Sequence, residues 1–340
     1  MTDTHKQPDH NQPDNMQPDH KQPDNMQPDH IKPDTGGVCA KPFTVGGEAL
    51  IEGVMMRGQR SYAIAVRRQD GSIQVEQHDL NLLSHRHKWV KLPILRGIVG
   101  LFESMRLGIK SLMFSANLAE SPAGEGTDEK DTGLSEGAMI ATVVVALCFG
   151  VGLFILMPNL VTKLAGFNKG GTAGDSVAYN LVEGAVRVGI FLAYLFLISR
   201  MKELRRVFQY HGAEHKAVHC FESGEELTVD NVQKHSTRHA RCGTALLFLV
   251  MLVSILVFTL VGVHSLLVNL ILRVLLIPFI AGIAYELAKF SGRSDSLLQR
   301  ILRAPGLLLQ RLTALEPDRE QIEVAIAALR PVLDRELSKT

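Results

Sequence analysis

The chain of 340 residues has little of what several function classes require. It carries four cysteines, Cys39, Cys148, Cys220 and Cys242, and no C-x-x-C pair. A disulfide framework is thereby excluded, and Cys220 and Cys242 read as reduced cytosolic thiols. Aromatic residues amount to only 6% and the net charge is +1. No basic stripe interleaved with aromatics is present to follow a phosphate backbone, which excludes direct nucleic-acid reading. The N-terminus lacks the apolar core of a secretory signal. It repeats instead a proline-containing pentapeptide, HKQPD, HNQPD and NMQPD, from His5 to Asp34. Each copy has almost nothing to bury against the entropy of ordering, so residues 1–42 are expected to be a disordered tail whose histidines collect metal at most loosely.

What the chain has in excess is aliphatic sequence, 46% hydrophobic overall and gathered into long blocks. Runs of about twenty residues predict four spanning helices. They fall near 138–157, closed by Pro158, and near 178–199, 244–263 and 266–288. The fold class expected is a mainly α membrane protein with four transmembrane helices plus amphipathic helices, and a small N-terminal β-hairpin-containing cytosolic domain. Arg200, Lys202, Arg205, Arg206, Lys289 and Arg293 follow the even-numbered spans, which places those ends, both termini and the loop 200–243 in the cytosol. Glu183, Arg187 and Arg273 lie inside the spans as a predicted intramembrane charge cluster, either a lock between helices or a site for an anionic lipid or substrate.

The remaining parts are read from their local patterns. In the domain 43–92, Gly46, Gly47, Gly53 and Gly58 predict tight turns or close approach of another surface. Alternation over Ser61–Arg68 and Ser72–Gln77 around Gln69-Asp70-Gly71 predicts a hairpin, with Glu52 and Arg57 its most interesting polar residues. Residues 93–118 read as an amphipathic or interfacial helix, and 119–137 as a loop. The tetrahelical domain spans 138–293. Amphipathic cytosolic helices fill 294–340, with a break expected at Pro305-Gly306, a capping box at Asp318 and Gln321, and an interruption at Pro331.

The chain is organised around Tyr210-His-Gly-Ala-Glu-His-Lys216. His211 and His215, four apart on a helix, share one face and can share one divalent metal ion, with zinc the first expectation. Glu214 completes H-x-x-E-H, the inverted signature of zinc proteases, in which the glutamate handles the proton of the attacking water. With the second span running on as one helix, Leu204, Phe208, His211, His215, Val218 and Glu222 form a single stripe. His239 and Cys242, three apart, supply the further ligands. All four ligands together make a closed, structural site, whereas three leave it open with Glu214 as general base. Lys216 and Arg241 are candidate contacts to an anionic transition state.

The stretches GGEALIEGVMMRG (Gly46–Gly58), RVFQYHGAEHKAV (Arg206–Val218), HARCGTALLFLV (His239–Val250), FIAGIAYEL (Phe279–Leu287) and LEPDREQIEVAIAAL (Leu315–Leu329) resemble the bacterial YqhQ-like family. These are integral membrane proteins of unknown function labelled as predicted metal-dependent enzymes. The resemblance implies a bacterial inner-membrane protein with His211, Glu214, His215, His239 and Cys242 as site candidates. Membrane lipids are the expected surroundings, and the leading expectation is a zinc-type metal-dependent hydrolase with its site at the cytosolic membrane face, acting on a peptide or lipid-linked substrate. The rival expectation is a non-enzymatic adaptor of a membrane-protein complex, engaged in translocation or with the ribosome, in which the metal only folds the loop. Metal transport is disfavoured, because Glu183 and Glu286 are the only obvious carboxylates at membrane depth.

Overall fold

The computed structural model describes residues 1–2, 43–80, 90, 92–120, 136–167, 173–261, 266–292 and 296–338. The pentapeptide tail, the acidic loop and the 262–265 link between the last two spans lie outside them. Four strands, β1 (Gly46–Leu50), β2 (Gly53–Arg57), β3 (Ser61–Arg67) and β4 (Ile73–Asp79), form one antiparallel meander in sequence order. The glycine-rich stretch is thus itself a hairpin, pairing Gly47 with Met56 and Glu48 with Met55. The hairpin around Gln69-Asp70-Gly71 closes with Arg68 N–H donating to Ser72 O, and Gly71 takes a φ of 84°.

The pleat divides the sheet's apolar residues by period two. Val54, Met56, Ala63 and Ala65 pack on one face with Tyr210, Ala213, Ala217, Ile322 and Leu329. Met55, Tyr62, Ile64 and Val66 pack on the other with Leu107, Phe114 and Leu118. The first face is covered by α5 (Lys202–Glu222) and α10 (Arg319–Leu337), the second by α1 (Leu95–Glu120). Arg96 of α1 forms an ion pair with Glu286, which ties the sheet's cover to the last long apolar helix.

Four helical stretches are long and apolar enough to cross a membrane: Val144–Leu164, Val177–Ile198, Gly243–Val261 and Ile271–Ser291. The first runs through α2 (Glu136–Val151), a π-helical turn (Gly152–Leu156) and α3 (Met157–Leu164). The others lie in α4 (Ala173–Ile198), α7 (Gly243–Val261) and α8 (Leu266–Ser291). Phe149, Leu164, Leu197, Leu256, Leu260 and Leu275 leave large apolar surfaces uncovered by protein, as helices facing hydrocarbon do. The protein is a mainly α membrane protein with a small antiparallel sheet. Pro158 does not close the first span, because it falls in the first turn of α3, where its missing N–H is no loss.

Three other expectations are corrected by the packing. The second span does not continue into α5: the chain breaks at Ser199–Met201, and Met201 is extended with ψ 133°. A continuous helix would hold Tyr210, Ala213 and Ala217 away from the sheet that now buries them. Pro305 does not break α9 (Leu297–Thr313), nor Pro331 α10. In α9 the buried Leu309, Gln310 and Thr313 keep the helix on its path. In α10 Val332 and Leu333 do so, offsetting a proline penalty of about 3 kcal/mol. The capping box at the start of α10 is present, with Asp318 accepting from Gln321 N–H at 2.8 Å and Gln321 from Asp318 N–H at 3.0 Å.

Candidate functional site

Helix α5 carries the motif. His211 and His215 leave it one turn apart, with ring centroids 4.4 Å from each other. Each ring is oriented by a main-chain carbonyl: His211 Nδ1 lies 2.6 Å from Thr313 O, and His215 Nδ1 lies 2.5 Å from Thr237 O. A carbonyl only accepts, so both Nδ1 atoms carry the hydrogen, and in the neutral imidazole this leaves the lone pair on Nε2. This is the state and orientation of metal-ligating imidazoles. Cys242, at the end of the loop between α6 (Val229–Lys234) and α7, brings Sγ to 3.1 Å from His211 Nε2. Thr244 N–H donates to the same sulfur at 3.4 Å. One ligand atom from each of His211, His215 and Cys242 falls within 4.8 Å of the others. Across a tetrahedral zinc with bonds of about 2.0–2.3 Å that separation is roughly 3.5 Å, a difference closed by small side-chain rotations. Glu214 Oε2 stands 3.4 Å from His215 Nε2.

His239 belongs to a neighbouring group. Its Nε2 is 3.4 Å from Glu222 Oε2, and its ring is 4.6 Å from that of His219 and 5.7 Å from that of His215. Gln310 clamps the His239 backbone, accepting from N–H at 2.8 Å and donating to the carbonyl at 2.9 Å. Burial holds the His219 and His239 imidazoles below the usual histidine range. Cys220, Glu225 and His235 form a third group. Burial pushes the Cys220 thiol up to about 11, so it stays protonated as a core side chain and is no ready ligand.

His211, Glu214, His215, His239, Arg241 and Cys242 all line one cavity of about 650 Å³, together with Glu48, Arg57, Ser104 and Thr244. Lys216 does not line it: its ammonium donates to Gln233 O at 2.8 Å and pairs with Glu316. Arg241 pairs with Glu222 at the cavity's edge. The intramembrane trio is also assembled. Arg273 donates to both oxygens of Glu183 at 2.8 and 2.7 Å, and Arg187 donates to one at 2.7 Å and to Phe154 O in the π-helical turn at 3.1 Å.

Sequence reasoning passed over Glu48, which β1 brings to the cavity from more than 150 residues away in the chain. Gly47 beside it is required: a Cβ there would fall 2.8 Å from Glu214 Cγ and 2.5 Å from Met55 O. The only available signal was an acid among small residues in GGEALIEG. Partial burial, opposed by Arg57 and reinforced by Glu214, raises the Glu48 carboxyl from 4.5 to about 7. The folded state therefore holds a proton that the unfolded chain releases, and stability falls as pH rises from about 4.5 through 7. Glu48→Gln, with no charge to desolvate, is expected to flatten that dependence and to gain of order 2 kcal/mol above pH 7. Thermal unfolding at pH 5 and pH 8 checks this.

The family described as protein of unknown function DUF1385 matches residues 92–335. The chain belongs to it. It is 34% identical over 307 residues to the uncharacterized protein YqhQ of Bacillus subtilis strain 168, covering 86% of this chain and 93% of that relative. No solved structure matches. The three candidate ligands, His211, His215 and Cys242, lie inside the family match, whereas Glu48 lies outside it.

Proposed function

We propose that the protein is a metal-dependent hydrolase of the zinc type, working at the cytosolic face of the bacterial inner membrane on a peptide or lipid-linked substrate. One observation carries the reading. Two imidazoles on one helix face are each held by a backbone carbonyl so that Nε2 lone pairs converge beside a thiol, at the wall of a cavity with two carboxylates. Three protein ligands suit an open zinc site, and a bound ion would supply Lewis acidity and an acidified water. Glu214 takes the proton of the attacking water, since its oxygen sits beside His215 Nε2. Glu48, protonated near neutrality, is the complementary acid for the leaving group. Arg57, held by Ser104 Oγ at 3.0 Å, and Arg241 offer positive charge to an oxyanion.

The orientation rests on Arg200, Lys202, Arg205 and Arg206 after the second span and Lys289 near the end of the fourth. These ends adjoin α5 and α9, so the site lies close to the lipid surface, where a lipid-linked substrate is presented.

The test uses cobalt-substituted protein. A thiolate-to-cobalt charge-transfer band is expected in wild type, lost in His211→Ala and Cys242→Ala and kept in Glu214→Gln. Hydrolysis across a panel of peptides and lipid-linked substrates should fall about 10²–10⁴-fold in Glu214→Gln. A folded protein that gives no thiolate-metal signature overturns the proposal. Retained metal with full cellular function in Glu214→Gln transfers the role to a membrane adaptor with a structural ion.

A further inference from the structure

We propose that His219, Glu222 and His239 form a second divalent-cation site, distinct from the one at His211, His215 and Cys242. One ligand atom from each of the three lies within 4.8 Å of the others. The set comes from the last turn of α5 and from the loop that leads to Cys242. His219 Nε2 lies 3.0 Å from Arg238 O, so that nitrogen carries the hydrogen and Nδ1 keeps its lone pair. Glu222 is oriented by Arg241, which takes one carboxylate oxygen and leaves Oε2 facing His239 Nε2 at 3.4 Å. His239 Nδ1 accepts from Arg241 N–H at 3.3 Å and Nε2–H points at that carboxylate. Binding moves the imidazole proton from Nε2 to Nδ1 and gives up the long contact to Arg241. The Gln310 clamp holds the His239 backbone in place during that exchange.

The donor chemistry separates the two sites. Two imidazoles and a carboxylate suit a borderline first-row ion such as Zn²⁺, Mn²⁺ or Fe²⁺, without the thiolate that marks the first site. His215 and His219 are one turn apart on α5, so the two ions would lie about 6 Å from each other. That is longer than the ~3.5–4 Å of a bridged two-metal centre. The second ion therefore ties the loop at His239 to the last turn of α5, independently of the first site.

Cobalt titration of the full-length apo chain in detergent tests this, with tail residues His5, His10, His20 and His30 replaced by asparagine. Two equivalents are expected. One carries the thiolate charge-transfer band and disappears in Cys242→Ser. The other shows d–d absorption only and disappears in both His219→Ala and Glu222→Gln, which keep the thiolate band. Because Glu222 ends the helix and is partly exposed, Glu222→Gln decides the matter should His219→Ala unfold. A wild type whose single equivalent carries the thiolate band, or two equivalents that persist in folded Glu222→Gln, overturns the second site. Loss of the thiolate band with the His219-dependent equivalent retained would overturn the hydrolase site and leave this one standing.

Discussion

Glutamine in place of Glu183 is expected to lower the stability of the helical bundle by about 3–5 kcal/mol, the cost of stranding buried charge without its partner. Glu183 is 2% exposed and accepts hydrogen bonds from Arg187 and Arg273 on α4 and α8. Both guanidiniums also stack near Phe258, with centroid distances of 5.8 and 5.2 Å. Removing the carboxylate leaves two cations in an apolar interior facing a neutral amide, the Phe154 carbonyl and an aromatic face. Thermal unfolding in detergent reads the loss. Replacing the trio together, with Glu183→Leu, Arg187→Met and Arg273→Leu, should restore most of it, because an apolar trio has no desolvation to offset. A cluster used for anion binding would show a different outcome: the triple variant would be stable but inactive.

Gly212→Ala is expected to be the most damaging small change near the site. A Cβ at Gly212 would overlap the Leu315 carbonyl oxygen, and Leu315 N–H is bonded to Phe208 O at 2.9 Å on the same helix. The obstacle is backbone, so α5 and the 313–315 segment must separate. Overpacking of this kind costs about 1–3 kcal/mol. The consequence reaches the proposed metal site, since Thr313 O is the carbonyl that orients His211. Gly212→Ala should therefore lose stability and the His211-dependent metal signal together. Gly189→Ala, where nothing lies within 4 Å of the added carbon, serves as the unaffected comparison.

The sequence by itself determined the parts whose cause is local. Four long apolar runs define the candidate spans, because hydrocarbon accepts only segments of that length and composition. The i, i+4 spacing of His211 and His215 places both rings on one face wherever α5 points, and Asp318 with Gln321 closes its own cap across three residues. Hairpin alternation was legible over β3 and β4. Over β1 and β2, glycine masked it, since the residues that make the strand approach Glu214 closely are also those with the weakest strand propensity.

Only the tertiary structure decided which donors meet. His239 and Cys242 are three apart in sequence, yet the loop sends the thiol to His211 and His215 and the imidazole to His219 and Glu222. Glu48 reaches the same cavity from the first strand, and Lys216, adjacent to the motif, is drawn away by Gln233 and Glu316. The break at Ser199–Met201 and the survival of α9 and α10 through their prolines follow the same rule. Burial against distant elements outweighs a local preference of a few kcal/mol, and no window of neighbouring residues records where that burial will be.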